Sequence, residues 1–173
     1  FAPTMANVQN IRWGRTYEGF GENSKLVANM GAAYIDGLQG KNLKKTENVL
    51  ATAKHFIGEG YTKGGVNQGD VTEYTEEEIL KNDRKIYEEA IESGARTVMA
   101  SFHSIEGLKM HANKRLLTDV LKKDMGFTGF IISDWYGIQQ ITKDQNGNAV
   151  SGLKQQIEVA VNAGIDMLMQ PEN

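Results

Sequence analysis

The chain has 173 residues, of which 40% are apolar and 24% are charged, a balance typical of a globular domain with a packed core. Its net charge is −3 and it has no basic stripe, so a nucleic-acid partner is not expected. No run of about 18 apolar residues is present, so neither a transmembrane helix nor a membrane partner is expected. The absence of cysteine excludes disulfides and thiolate metal sites.

The start of the chain has the character of an internal segment. Its first residue is Phe1 rather than Met, and residues 1–5 read as a strand that Pro3 weakens. We therefore expect the N-terminus to be missing, together with any targeting segment.

Hydrophobic periodicity predicts an alternation of strands and helices along the rest of the chain. Further strands are predicted at residues 48–57, 97–102, 130–132 and 165–169. Helices are predicted at residues 23–38, 75–93 and 116–121, and between Ser151 and Gly164. The apolar face of the first helix is expected to consist of Leu26, Val27, Met30, Tyr34 and Leu38.

Several helix boundaries carry capping residues. Asn23 or Ser24 is expected to cap the first helix, and Ser151 the last. Thr75 and Glu78, three residues apart, have the pattern of a capping box at the start of the second helix. Residues 58–72 form a long glycine-rich loop, and loops of this length are uncommon unless they are functional.

The alternating order of elements predicts an α/β fold with a parallel sheet. Both a doubly wound sheet and a (β/α)8 barrel of the TIM type fit that order. Gly58-Glu59-Gly60 follows a strand without opening a helix, so the glycine fingerprint of nucleotide-binding folds is not met. Polar residues follow four of the strands, which favours the barrel; they are Arg12, Arg15, Lys54, His55, His103 and Asp134.

A complete barrel typically needs about 250 residues, and five strands cannot close one. We therefore expect residues 1–173 to be the central part of a barrel, beginning and ending within it. The rest of the barrel is expected elsewhere in a longer polypeptide.

Asp134 is the first candidate catalytic residue. It comes directly after a short apolar run, Phe130 to Ile132, which reads as a strand buried on both faces. Sites in α/β sheets form at the carboxyl ends of strands, where a carboxylate beside Trp135 could act as a nucleophile on a stacked substrate. Alternatively, Asp134 only caps a following helix.

Lys54-His55 and Arg15 are further candidates. Nitrogen donors at a strand end suit a polyhydroxylated ligand, and the guanidinium of Arg15 can bridge vicinal hydroxyls. The alternatives are a surface lysine beside a structural histidine, a Schiff-base lysine at Lys54, and an exposed Arg15 paired with Glu18 or Glu22. The three histidines are separated by 48 and 8 residues, which matches no compact metal motif, so neither a metal nor another cofactor is expected.

Several blocks of the sequence resemble the N-terminal barrel domain of the family 3 glycoside hydrolases, in the β-glucosidase and exo-β-glucanase branch. The blocks are Phe1-Ala2-Pro3, Arg12-Trp13-Gly14-Arg15-Thr16-Tyr17-Glu18, Ala53-Lys54-His55-Phe56, Lys109-Met110-His111-Ala112-Asn113 and Ile131-Ile132-Ser133-Asp134-Trp135. Residues 120–137 also match the nucleophile signature of that family in full. The blocks occur in family order along nearly the whole chain.

The resemblance implies roles for seven residues. Asp134 would be the catalytic nucleophile of a retaining hydrolysis, and Arg15, Lys54 and His55 would hold the hydroxyls of the sugar. Trp135 would form part of the pocket wall, while Met110 and His111 would support the site. The cations Arg15 and Lys54 would lower the pKa of Asp134. The substrate would be a β-glucoside or β-glucan oligosaccharide.

The resemblance also implies what this sequence lacks. The acid/base residue of this branch usually comes from a second domain, which would be a partner within the same polypeptide. Asp-Pro commonly precedes the arginine block, where this chain has Asn10-Ile11, a change we expect to be structural. Phe102 stands where a tyrosine often approaches the nucleophile, and Gln140 stands where an arginine is common. Family members are often secreted or periplasmic, so we expect the same here by analogy.

Three other functions remain open at this point. A sister branch of the family cleaves β-N-acetylhexosaminides and carries a proline and a histidine in the loop after the Lys-His-Phe triplet, where this chain has Ile57-Gly58-Glu59-Gly60. A barrel aldolase could use Lys54 as a Schiff base. A non-catalytic sugar-binding module would bind sugar without turnover.

Overall fold

Four helices and six short strands make up the computed structural model, which describes residues 1–171. The helices are α1 (Ser24–Gln39), α2 (Glu76–Glu92), α3 (Arg115–Asp124) and α4 (Leu153–Ala163). The strands are β1 (Thr52–Phe56), β2 (Asp70–Val71), β3 (Thr97–Ala100), β4 (Ser104–Ile105), β5 (Leu108–Lys109) and β6 (Phe130–Ile132). Helix α3 has π-type hydrogen bonding. No helix among the described residues is long and apolar enough to cross a membrane.

The central sheet is parallel, and its strands stand in chain order, β1–β3–β6. Single parallel bridges add a segment at each edge, Thr4 beside Lys54 and Met167 beside Ile132. A doubly wound sheet reverses its strand order, whereas a barrel adds each strand beside the last. The order in residues 1–171 therefore confirms the predicted α/β fold with part of a (β/α)8 barrel. The segments at residues 1–5 and 165–169 pair less extensively than full strands.

A second, smaller sheet lies in the loops. Strand β2 pairs in parallel with β4, and β4 pairs antiparallel with β5. The long loop predicted at residues 58–72 is therefore ordered by two short 3-10 turns, Glu59–Tyr61 and Lys63–Gly65, and then by β2.

The predicted capping residues are confirmed for α1 and α2. The side chain of Asn23 accepts a hydrogen bond from the Leu26 amide at 3.0 Å. Thr75 and Glu78 form the complete reciprocal capping box.

The predicted cap of α4 is wrong. Gly152, with φ 77°, takes the N-cap position, and the amide of Ser151 instead donates to the side chain of Gln155 at 3.0 Å. A backbone with φ in this range favours glycine, so the chain enters the helix one residue later than the serine suggests.

The predicted apolar face of α1 is also largely wrong. Val27 and Ile35 are buried, but Leu26, Met30 and Tyr34 are each nearly half exposed. The helix turns its small residues inward instead, and a Cβ atom on Gly31 would lie 2.2 Å from the Met5 side chain. Gly31 lets α1 pack closely against Met5, and this close packing determines which face of the helix is buried. The pattern of large apolar residues does not show such a contact.

A buried polar network ties three parts of the fold together behind the carboxyl edge of the sheet, the edge at which β1, β3 and β6 end. Asp83 on α2 accepts a hydrogen bond from the Tyr61 hydroxyl at 2.7 Å and from the Asn7 amide at 2.8 Å. Asn7 also donates to the Tyr61 oxygen at 3.0 Å. The network therefore joins the first segment, the 58–72 loop and α2. Burial raises the pKa of Asp83 from 3.8 to about 7.

Gly129→Ala and Gly37→Ala should have opposite effects on stability. A Cβ atom on Gly129 would lie 2.1 Å from the Arg96 backbone oxygen, whereas one on Gly37 in α1 would have no atom within 4 Å. Gly129→Ala should lower the free energy of unfolding by about 1–3 kcal/mol, because backbone must move. Gly37→Ala should raise it by about 1 kcal/mol through helix propensity. Urea unfolding of both variants measures the difference, and equal shifts would contradict the packing argument.

Asp83→Asn should change how stability depends on pH. Because the folded-state pKa is about 7 against an ordinary 3.8, the folded protein holds the extra proton across this window. The contribution of Asp83 therefore becomes less favourable as pH rises through the window and is constant above it. Asparagine keeps the acceptor oxygen and does not titrate, so the stability of the variant relative to wild type should increase from about pH 4 to about pH 7.

Urea unfolding at several pH values tests this expectation. Glu77→Gln is the control for losing one carboxylate from the exposed side of the same helix. Parallel stability curves for wild type and Asp83→Asn would contradict the prediction.

Candidate active site

The carboxyl edge of the sheet brings the candidate residues together. Lys54 and His55 lie near the end of β1, His103 lies shortly after β3, and Asp134 follows β6. The pairing of β1 with β3 is irregular between Lys54 and Phe56. This irregularity re-aims side chains at the end of a strand, so Lys54 and His55 need not alternate strictly across the sheet.

Asp134 lies at the centre of this group and is 7% exposed. Its Oδ1 atom accepts a hydrogen bond from the Trp135 amide at 2.7 Å. Its Oδ2 atom lies 3.6 Å from Nε2 of His55, and no residue within 1–171 makes a hydrogen bond to it. One carboxylate oxygen is thus anchored by the backbone while the other is left for a reacting group.

His111 supports Asp134 from behind. Its Nε2 atom accepts the backbone N–H of Asp134 at 2.9 Å, and the ring is fully buried. Burial lowers the pKa of His111 to about 3, so the ring is neutral and Nδ1 carries its proton. Met110 is also fully buried, within the hydrophobic core. Neither side chain has surface exposed to a ligand, so a supporting role stays the prediction for both.

His55 is held by a carboxylate that was not predicted from the sequence. Glu59 is 2% exposed, and its Oε2 atom lies 2.8 Å from Nδ1 of His55. Its Oε1 atom also accepts the backbone N–H of His55 at 2.9 Å. The available signal was an acid four residues after the histidine, inside a loop too long to be a plain connection.

Arg15 is paired with Glu18, which is one of the alternatives that the sequence left open. The guanidinium donates to both carboxylate oxygens, at 2.7 and 2.8 Å. This bidentate geometry fixes the plane of the guanidinium. The pair is not a fully exposed one, because the side chain of Arg15 is only 23% exposed. The Glu18 hydrogen bond raises the pKa of Arg15 above its usual value, and the carboxylates of Glu59 and Asp134 contribute in the same direction.

Lys54 and Trp135 stand at the margin of the group. Lys54 is partly buried and contributes to the lowered pKa of Glu18, which the hydrogen bond from Arg15 mainly sets. Trp135 is 54% exposed, and its ring meets the ring of Tyr136 edge to face. An exposed indole beside a buried carboxylate offers an apolar surface to a ligand.

The predicted direction of the Asp134 pKa is wrong. Burial raises it above the usual value, although His55, the Trp135 amide and Arg15 each act to lower it. Lys54, which was expected to contribute, is not among these causes. The sequence shows which charges are near but not how far water is excluded, and desolvation outweighs the cations here.

Two of the three positions that depart from the pattern implied by the resemblance make local hydrogen bonds. The side chain of Asn10 accepts the Arg12 amide at 3.0 Å, which closes a local turn. Gln140 accepts a hydrogen bond from Lys109 at 3.1 Å. With Phe102 in place of a tyrosine, no hydroxyl from that position reaches Asp134.

Two surface cavities of about 310 and 280 Å³ lie elsewhere, beside residues 143–147. Neither is lined by Asp134, His55 or Arg15. Across residues 1–171, no three acidic or histidine side chains are arranged to hold a metal ion.

A family model and curated relatives match this chain over nearly its whole length. A family model described as the glycosyl hydrolase family 3 N-terminal domain matches residues 1–173. A periplasmic β-glucosidase of Salmonella typhimurium is 31% identical over 99% of this chain, which covers 22% of that protein. A β-xylosidase of Formosa agariphila is 34% identical over 91% of this chain, again covering 22% of the relative.

Solved structures agree with the sequence relatives. An exo-1,3/1,4-β-glucanase from a Pseudoalteromonas species superposes with a TM-score of 0.86 and 39% identity, over 99% of this chain and 21% of the other. A β-glucosidase from Listeria innocua in complex with isofagomine gives 0.87 and 33%, over 98% and 24%. The chain therefore spans about a quarter or less of the length of these proteins.

Proposed function

The chain belongs to glycosyl hydrolase family 3, and we propose that it contributes the nucleophile and part of the sugar site to a retaining β-glycosidase. The enzyme releases β-D-glucose from the non-reducing end of β-glucosides or β-glucan oligosaccharides. Hydrolysis proceeds by double displacement through a covalent glycosyl-enzyme intermediate. Relatives named β-glucosidase and exo-1,3/1,4-β-glucanase support this substrate class.

The geometry of Asp134 carries the proposal. A nucleophile needs a carboxylate oxygen free to form a bond with the anomeric carbon, and Oδ2 has that freedom while the Trp135 amide holds Oδ1. His111 fixes the backbone at this residue. The carboxylate therefore attacks from a position determined by the end of β6.

The surrounding nitrogen donors fit a sugar. Arg15, Lys54 and His55 hold its hydroxyls, and Trp135 covers part of its apolar face. A site that reads hydroxyls discriminates strongly, because a wrong sugar leaves buried polar groups without partners. His55 and Arg15 also favour the charged form of Asp134 needed for attack.

The acid/base residue lies outside residues 1–173 in this proposal. A retaining enzyme needs a second carboxyl group about 5–5.5 Å from the nucleophile. Glu18 and Glu59, the neighbouring carboxylates described above, are paired with Arg15 and His55. We assign residues 1–173 to the central part of the N-terminal barrel domain, and the acid/base to a second domain of the same polypeptide. The named periplasmic relative supports an exported protein.

Asp134→Ala should lower kcat for 4-nitrophenyl β-D-glucopyranoside by several orders of magnitude in the full-length enzyme, because the covalent intermediate cannot form. Asp119→Ala removes a half-exposed aspartate on α3 and should leave kcat near wild type. An activated 2-fluoro-β-glucoside should label Asp134, which peptide mass spectrometry can locate. Near-normal turnover in Asp134→Ala, or an adduct on another residue, would overturn the assignment.

Three further measurements on the full-length protein distinguish the other functions. Comparing kcat/KM for the glucoside, the xyloside and the N-acetylglucosaminide tests the substrate class, and the glucoside should be preferred. Borohydride trapping with a carbonyl substrate would label Lys54 in an aldolase. Sugar binding without turnover in the full-length protein would indicate a binding module.

Arg15→Gln should move the acidic limb of kcat/KM to higher pH. Attack requires ionised Asp134, and Arg15 is one of the groups that lower its pKa. Removing that charge raises the pKa, so activity should be lost at a higher pH during acidification. Arg12→Gln removes the same charge from an exposed position three residues away and should leave the limb in place. A limb that stays or moves to lower pH in Arg15→Gln would contradict the proposed electrostatics.

A further inference from the structure

Glu59 is one of the most deeply buried charged residues at the carboxyl edge, and within residues 1–171 the hydrogen bonds and ion pair of its carboxylate go to His55. Its two carboxylate oxygens lie 3.0 and 2.8 Å from Nδ1 of His55. The first of them also accepts the backbone N–H of His55. Burying a carboxylate is strongly unfavourable unless it is paired and hydrogen-bonded. The buried carboxylate of Glu59 is therefore stabilised mainly by its contacts with His55.

The backbone on both sides of Glu59 is fitted to this position. Gly58 has φ 95°, a conformation that favours glycine. A Cβ atom on Gly60 would lie 2.1 Å from the Asn7 backbone oxygen. The turn that carries Glu59 thus packs closely against the first segment of the chain. This packing restricts movement of the Glu59 carboxylate away from the ring of His55.

The contact with Glu59 determines which nitrogen of His55 is protonated and which one faces the active site. Carboxylate oxygens accept hydrogen bonds, so Nδ1 of His55 carries the proton of this contact. The opposite ring nitrogen, Nε2, then points to Asp134 and lies 3.6 Å from its Oδ2 atom. Holding Nδ1 fixes both the rotation and the protonated atom of the ring, as an acid bound to the far side of a histidine does in other sites.

We propose that Glu59 is a positioning residue, whose carboxylate fixes Nδ1–H of His55 and thereby holds Nε2 against the nucleophile and the bound sugar. Glu59 acts only through His55 and does not touch the substrate. This inference rests on the proposed function of Asp134 but concerns a residue to which that function assigns no role.

Asp83 shows that burial alone does not create such a role. It is equally buried, at 2% exposed, and also accepts two side-chain hydrogen bonds. Its partners, Asn7 and Tyr61, do not contact Asp134 in the hydrogen bonds described above. Asp83→Asn is therefore the matched control for removing a buried carboxylate from this part of the fold.

A double-mutant cycle in the full-length enzyme tests the proposal. Glu59→Gln should lower kcat/KM for 4-nitrophenyl β-D-glucopyranoside by about 10- to 100-fold. If the amide oxygen keeps the His55 backbone N–H, the amide nitrogen replaces the oxygen 2.8 Å from Nδ1, donates to that atom and shifts the ring proton to Nε2. In a His55→Ala background, the same change should cause no further loss beyond about two-fold, because its target is gone. Asp83→Asn should stay near wild type, because the Asn7 and Tyr61 hydrogen bonds both go to Oδ1, which asparagine keeps, so the loop that carries Glu59 stays in place.

Three outcomes would overturn the proposal. They are unchanged kcat/KM in Glu59→Gln, an equal further loss in the His55→Ala background, and a loss in Asp83→Asn as large as that in Glu59→Gln. Asp134→Ala, measured alongside, tests the proposed function separately. If it abolishes turnover while Glu59→Gln does not lower it, the function stands and the positioning role fails.

A measurement on the unmodified enzyme keeps the test independent of whether the variants fold. Neutron diffraction from crystals of the full-length protein in deuterated buffer shows which nitrogen of His55 holds a deuteron. A deuteron on Nδ1, directed at Glu59, supports the proposal. A ring with a deuteron on Nε2 alone would overturn it.

Discussion

Charged groups that leave water must be paired, and this requirement shapes the carboxyl edge of the sheet. Arg15 is held by Glu18, and His55 by Glu59, each through short contacts. These pairs leave Asp134 as the carboxylate with an oxygen not engaged by residues 1–171. The side chains of Arg15 and His55 are fixed before any ligand arrives, so the ligand meets donors already in place. The same pairing makes the group sensitive to the loss of either partner, because the survivor remains buried.

The fold serves this arrangement by bringing distant segments to one edge. Strands β1, β3 and β6 end together because they are parallel and stand in chain order. The network of Asn7, Tyr61 and Asp83 then fixes the loop that carries Glu59. Glycine allows the tightest of these contacts, as at Gly137, where a Cβ atom would lie 2.4 Å from the ring of His111. The support behind the site is thus mainly a matter of close backbone packing.

The sequence predicted the parallel sheet, favoured the barrel and located the candidate residues at strand ends, because buried apolar runs and polar strand ends are local patterns. It could not predict features decided by tertiary contact. Gly31 turned the inner face of α1 away from Leu26 and Met30, and burial reversed the expected pKa direction of Asp134. Glu59 was missed because its partner lies on the far side of a turn, and its burial depends on Asn7, which lies much earlier in the chain.

The neutral ring of His111 has a consequence for how the edge responds to acid. Its pKa of about 3 lies well below that of an ordinary histidine, so the acceptor that holds the Asp134 backbone does not titrate in the mildly acidic range. Burial raises the pKa of Asp134 above its ordinary value, so on acidification this carboxylate gains a proton before His111 does, and the backbone hydrogen bond to His111 is kept. Protonation of Asp134 can therefore change the charge of the nucleophile reversibly without breaking the hydrogen bond that positions its backbone.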